Sequence, residues 1–81
     1  MPNAVKNIAR FIKAAPDAPE SVVLRDLCMA LEQRYAFDLS CIYDLERKPF
    51  ELAIDLIEAW RFDRHVVTRR LQKYLAQLDE R

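Results

Sequence analysis

Basic side chains recur at every fourth position near the C-terminal end of the sequence, as Arg61, His65, Arg69 and Lys73. Residues four apart lie on one face of an α-helix, so these side chains would form a single basic ladder. Such a row can follow the phosphates of a nucleic acid, while Arg69 or Gln72 reaches a base edge. The pattern therefore gives one hypothesis for function, in which the ladder contacts a nucleic acid.

The charge of the whole chain argues against that hypothesis. The sequence has 13 basic and 13 acidic residues, so no overall positive potential attracts a polyanion. Residues 1–16 and 61–81 are basic, whereas residues 17–60 contain ten acidic and four basic side chains. In a continuous helix, three acidic residues on the ladder's face would complement the helix dipole and could pair with the ladder of an antiparallel second copy. They are Glu51, Asp55 and Glu58. Nucleic-acid binding is therefore the second hypothesis.

The sequence contains no pattern typical of an active site. His65 is the single histidine, and a catalytic role would need a nucleophile or carboxylate in reach, whereas its adjacent charged residue is Arg64. The chain has no glycine, which excludes the glycine-dependent loops that bind phosphates, dinucleotides or calcium. Cys28 and Cys41 are spaced like neither a redox pair nor a zinc site. We therefore expect no enzymatic activity, no catalytic residue, no cofactor and no metal site.

Composition indicates the compartment. Hydrophobic residues make up 52% of the chain, but no apolar run approaches the roughly 18 residues of a membrane span. Residues 1–15 are basic and amphipathic, and we expect them to form a core helix instead of a targeting or membrane-surface segment. Both cysteines are expected to be reduced thiols that pack as small hydrophobic side chains. The prediction is a cytoplasmic protein without membrane contact.

Two helices are predicted in the N-terminal half. Apolar residues at helical spacing predict the first helix from about Asn3 to Ala15, and Pro16 ends it because a proline disfavours helical geometry in the residue before it. The second helix begins after a short linker, with Pro19 in its first turn, and continues to near Ala36. Together these helices supply part of the core that must position the basic ladder.

The segment Leu39–Leu45 is ambiguous in the sequence. Leu39, Ile42 and Tyr43 fit one helical turn capped by Asp38, and the same residues could form an irregular apolar loop. We favour a short helix.

The last segment, from Pro49 to about Asp79, has no glycine and no further proline. It predicts one continuous helix of about 30 residues, roughly 45 Å long. A compact domain of this size is about 30 Å across, so the helix would extend beyond its own domain and need a partner for its apolar seam. A second copy of the chain is the expected partner. The predicted interface residues are Trp60, Arg64, Val67, Leu71, Tyr74 and Leu78.

An alternative divides this last segment at Arg61–Asp63. Asp63 would then cap a fourth main helix, and a monomeric bundle would bury all apolar residues within one chain. We favour the continuous helix because a sharp turn without glycine or proline is unusual.

The sequence thus predicts that residues 1–81 form one all-α domain of three main helices and one short helix, with a long C-terminal helix. The predicted function is non-enzymatic protein–protein interaction, as a homodimer through that helix, with any further protein partner unidentified. The alternative is a small nucleic-acid-binding regulator that uses the basic ladder. A third, weaker hypothesis is an inhibitor whose acidic middle residues imitate a polyanion. Those residues are Asp38, Asp44, Glu46, Glu51, Asp55 and Glu58.

Overall fold

The computed structural model describes the backbone of residues 3–79 and the side chains of residues 3–77. Within these residues the chain forms helices and no strand, which confirms the predicted all-α class. In chain order the helices are α1 (Ala4–Ala14), α2 (Pro19–Gln33), α3 (Ser40–Tyr43), α4 (Arg47–Phe62) and α5 (Arg64–Asp79).

Helix α1 lies where the sequence predicts it. The side chain of Asn3 accepts a hydrogen bond from the Lys6 N–H at 3.1 Å, which satisfies one of the unpaired donors at the start of the helix. Its apolar stripe is buried and includes Val5, Ile8 and Ile12. The helix ends before Pro16, as expected from the restriction that a proline places on the residue before it.

Helix α2 begins with Pro19 in its first turn and ends three residues earlier than predicted. Arg34 adopts a left-handed conformation, with φ 59° and ψ 50°, which turns the chain out of the helix. The N–H of Tyr35 then donates to the Ala30 carbonyl at 3.1 Å, the bond that defines a Schellman motif. Glycine usually occupies this left-handed position, and its absence from the sequence left the helix end without a signal.

The ambiguous middle segment forms the short helix α3. The carboxylate of Asp38 accepts hydrogen bonds from the Ser40 backbone N–H at 3.0 Å and from the Ser40 hydroxyl at 2.7 Å. These bonds, the side-chain one first, lower the pKa of Asp38 because they favour its ionised form. Ile42 is buried and anchors the turn to the core.

The prediction of one continuous C-terminal helix is wrong. Helix α4 ends at Phe62 and helix α5 begins at Arg64, so Asp63 alone separates them. The Asp63 N–H still donates to the Ala59 carbonyl at 2.9 Å, while its carboxylate accepts from the Val66 N–H at 3.2 Å. One aspartate therefore completes one helix and caps the next, as in the alternative interpretation of the sequence.

The break at Asp63 allows α5 to complete the core. Val67 and Leu71 are only 4% and 1% exposed, because α5 turns back against α1, α2 and α4. Helix α4 packs against each of the other four helices and buries Ala53 and Leu56 completely. The described chain measures 29 × 28 × 26 Å, so it contains no 45 Å rod extending beyond the domain.

Candidate functional site at the α4–α5 corner

The turn at Asp63 leaves a large apolar side chain in solvent. Phe62, the last residue of α4, is 83% exposed, although most of the apolar residues of α4 pack towards the core. One residue after it the chain changes direction, so the ring projects from the corner between two helices. Two concave surfaces meet at Phe62, and its side chain lines both.

The first concave surface is a cavity of about 640 Å³ with strongly basic walls, hereafter the basic cleft. Its residues come from the end of α2, the end of α4 and the first half of α5. They are Arg34, Arg61, Phe62, Asp63, Arg64, His65, Thr68, Arg69 and Gln72. The cleft therefore combines guanidinium groups with one phenyl ring, one imidazole, one carboxylate, one amide and one hydroxyl.

The arginines of the basic cleft are not neutralised by neighbouring carboxylates. In the described part of the chain, Arg34, Arg61 and Arg69 form no ion pair with a carboxylate. Asp63 contributes the cleft's one carboxylate, and that group already accepts the hydrogen bond from the Val66 N–H. The cleft is thus locally positive in a chain whose formal net charge is zero.

One contact and one unpaired polar group characterise the wall of the basic cleft. The guanidinium carbon of Arg64 lies 5.3 Å from the centre of the Trp60 ring, at the distance of a cation–π interaction. This contact holds Arg64 on the indole face. The Thr68 hydroxyl is buried and has no hydrogen-bond partner among the described residues.

The structure brings together three of the four residues of the predicted ladder. Arg61, His65 and Arg69 all line the basic cleft, but from two helices that meet at Asp63 instead of from one straight face. Lys73 is exposed on α5 and does not line the cleft. The ladder is therefore replaced by a shorter, concave cluster.

No pattern in the sequence identifies Arg34 as a member of this cluster. Arg34 lies 27 positions before Arg61, and it reaches the cleft because α2 packs against α5 and ends beside the corner. No periodicity connects the two positions. Even a clear sequence signal for the end of α2 would only have placed Arg34 at a helix terminus. It would not have shown that this terminus lies beside α5.

The second concave surface, hereafter the corner groove, lies on the other side of Phe62 and has a volume of about 820 Å³. Its charged residues have both signs, with Asp55 and Glu58 on α4 and Arg70 on α5. Val66, which is 37% exposed, adds apolar surface. The complete lining is Ala4, Asn7, Asp55, Glu58, Ala59, Arg61, Phe62, Asp63, Val66, Val67 and Arg70.

The predicted interface residues no longer form one seam. Val67 and Leu71 are buried in the core of their own chain, and Trp60 and Tyr74 are partly buried against it. Arg64 is exposed, and the Leu78 side chain lies outside the described residues. A homodimer must therefore use a surface other than the predicted seam of one long helix, because the apolar residues of that seam already pack against their own chain.

The remaining candidate groups add no further site. Burial raises the pKa of the Cys28 thiol to about 12, so this thiol stays protonated, and Cys41 is a free, partly buried cysteine. Among the described residues, no cluster of three or more histidine, cysteine or acidic side chains could hold a metal ion. The described helices also include none with the length and apolar character needed to cross a bilayer.

Comparison of the chain with protein-family models, curated protein sequences and solved structures finds no match. The assignment of a function therefore depends on the geometry and charge of the α4–α5 corner.

Proposed function

We propose that this protein is a non-enzymatic interaction protein that forms a homodimer through Phe62 and the corner groove. The observation that carries the proposal is the 83% exposure of Phe62 beside a concave surface. Exposed aromatic side chains next to grooves are typical of residues that contribute most to the binding energy of an interface. This surface replaces the long helix from which the sequence predicted self-association.

The charges of the corner groove favour a second copy of the same chain as the partner. Asp55 and Glu58 line the same groove as Arg61 and Arg70. In a two-fold dimer, the same surface faces itself in the opposite direction, so the carboxylates of one copy can face the arginines of the other. The axis would pass near Phe62, so that each ring covers apolar surface of the other copy.

The chemistry of the corner supports binding without catalysis. The basic cleft and the corner groove present mainly arginines, carboxylates, an aromatic ring, an amide and a hydroxyl, which are groups that recognise a partner, together with the His65 imidazole. A catalytic site would need a nucleophile paired with an oriented base. We also propose a cytoplasmic location, because two unpaired cysteines suit a reducing compartment.

Sedimentation equilibrium over a concentration series tests the homodimer. Replacing Phe62 by serine should weaken the dimer about 30-fold or more, since truncation of a central aromatic costs about 2 kcal/mol. Tyr43→Ser is the matched control, because Tyr43 is 80% exposed but lines neither concave surface. A wild-type chain that remains monomeric to high micromolar concentration would overturn the proposal.

The second candidate function is nucleic-acid binding. One specific observation favours it: Arg34, just after α2, meets Arg61 on α4 and Arg69 on α5 in one cleft, without carboxylate partners in the described part of the chain. Retention of a labelled oligonucleotide that decreases with added salt is the corresponding test.

A further inference from the structure

We propose that the basic cleft is a binding site for single-stranded nucleic acid, in which arginines hold phosphates and Phe62 stacks on a base. The proposal rests on the second candidate function. Because Phe62 lines both concave surfaces, base stacking and the proposed self-association would compete for the same ring. It assigns a role to Arg34, which the sequence did not connect with the ladder, and it excludes Lys73 from the site.

The phosphate contacts follow from the positions of three guanidinium groups. Arg34 enters from the end of α2, Arg64 is held against the Trp60 ring, and Arg69 lies on α5, all lining the same cavity. A guanidinium group offers a fork of N–H donors that matches the oxygens of a phosphate. Because Arg34 and Arg69 form no ion pair in the described part of the chain, they need not give up a carboxylate when an anion binds.

The exposed ring of Phe62 supplies the contact that distinguishes a nucleic acid from a simple anion. Proteins that bind single strands combine a positive groove with aromatic side chains on which bases stack. Phe62 lies at the edge of the basic cleft with 83% of its surface exposed. Gln72 adds an amide that can donate to and accept from a base edge, and the unpaired Thr68 hydroxyl lies in the same wall.

The shape and surroundings of the cleft favour a single strand over a duplex. A duplex groove would be followed by a straight ladder, but the turn at Asp63 interrupts that ladder and leaves Lys73 outside the cleft. Beyond Phe62, the carboxylates of Asp55 and Glu58 line the corner groove and would repel an extended phosphate backbone. A cavity of about 640 Å³ has the volume of a small-ligand site, so it suits a few unpaired nucleotides.

Fluorescence anisotropy with a labelled oligothymidylate and a labelled oligouridylate of about twelve nucleotides tests the site. With three phosphate contacts, the plot of log affinity against log salt should have a slope of about −2. The affinity should then fall about 20-fold between about 50 and 200 mM salt. The Arg34→Gln variant should bind several-fold more weakly at low salt and lower the slope by about 0.7.

Two further variants distinguish binding in the cleft from binding along a straight ladder and test the contribution of ring stacking. Lys73→Gln is the matched control and should bind like the wild type, whereas a straight ladder on a duplex would require Lys73. Phe62→Leu keeps an apolar side chain but loses ring stacking, so it should weaken binding about fivefold or more. Circular dichroism and thermal melting should show that each variant remains folded.

Four results would overturn the proposal. They are the absence of salt-dependent retention, equal binding by Arg34→Gln, binding to a duplex as tight as to a single strand, and tighter binding to a polyglutamate peptide than to either oligonucleotide. Failure of this site is distinguishable from failure of the homodimer. Arg34→Gln should leave the sedimentation of the dimer unchanged, because Arg34 lines only the basic cleft. Val66→Ser should weaken the dimer and leave oligonucleotide binding as tight as in the wild type or tighter, because a weaker dimer leaves Phe62 free to stack.

Discussion

The molecule contains two kinds of turn between long helices, and they produce different surfaces. Between α1 and α2, the chain uses four residues, 15–18, and ends the turn with Pro19 in the first turn of α2. Between α4 and α5 it uses Asp63 alone. Neither exposes a large apolar side chain within the turn itself, but the second leaves Phe62 in solvent, where two concave surfaces meet.

The difference shows how a short connection can produce a binding surface. In the first turn, several small or polar residues separate the helix ends, so apolar side chains on both helices can face the core. In the second, the last residue of α4 and the first residue of α5 are fixed on either side of one aspartate. Since α5 must turn its buried residues inward, Phe62 at the end of α4 is left facing out, beside the arginines of the next helix.

The largest effect is expected where α5 enters the core. Leu71→Ala should lower the free energy of unfolding by about 3 kcal/mol, because Leu71 is fully buried and its truncation leaves a cavity. Urea denaturation measures the change, and Leu39→Ala is the matched control on an exposed leucine, with an expected effect within about 0.5 kcal/mol. A loss for Leu71→Ala that appears only at high protein concentration would mean that Leu71 packs between copies instead.

Asp63 itself should have an intermediate effect. Asp63→Ala removes the acceptor for the Val66 N–H and should lower the free energy of unfolding by about 1 kcal/mol. Asp63→Asn keeps a side-chain oxygen at the same position and should lose less than the alanine variant. An alanine variant with unchanged or raised stability would contradict the role of this aspartate as the cap that separates α4 from α5.

The smallest effect is expected at Asp38, which caps a turn away from the corner. Its hydrogen bonds to Ser40 lower its pKa in the folded state below the ordinary value of 3.8. The ionised carboxylate therefore stabilises the fold above pH 3.8, and this contribution is lost as the pH falls through the lower folded-state pKa.

Unfolding of the wild type and Asp38→Ala at neutral and acidic pH measures this contribution. The stability difference between the two proteins should be present at neutral pH and disappear in acid. A difference that stays constant from neutral pH to below the folded-state pKa would contradict the role of the charge.

The sequence predicted those elements whose ends have a strong local signal. Pro16 and Pro19 determine the first turn because proline restricts the backbone wherever it occurs. The sequence predicts Asp38 as the cap of a short helix. The helix forms, and the Asp38 carboxylate accepts hydrogen bonds from the Ser40 N–H and hydroxyl, but Leu39 occupies the N-cap position. The helical class follows from the apolar spacing along α1 and α2.

The end of α2 and the turn at Asp63 could not be fixed from the sequence in the same way. Aspartate permits a helix break without requiring one, so tertiary packing of Val67 and Leu71 decides between a rod and a corner. The basic cleft depends in turn on that decision and on Arg34, which reaches it through the packing of α2 against α5. The sequence therefore predicts Arg61, His65 and Arg69 as basic residues of one site, but it does not predict their concave arrangement.

The distance between the far ends of α4 and α5 tests the corner most directly. Spin labels at Lys48→Cys and Gln77→Cys, two exposed positions, can be attached after Cys28→Ala and Cys41→Ser remove the native thiols. Since the described chain extends only 29 Å along its longest principal axis, pulsed electron paramagnetic resonance should give a distance clearly shorter than that of an unbroken helix. A distance of about 43 Å, the length of an unbroken helix between these positions, would contradict the corner and the binding surfaces built on it.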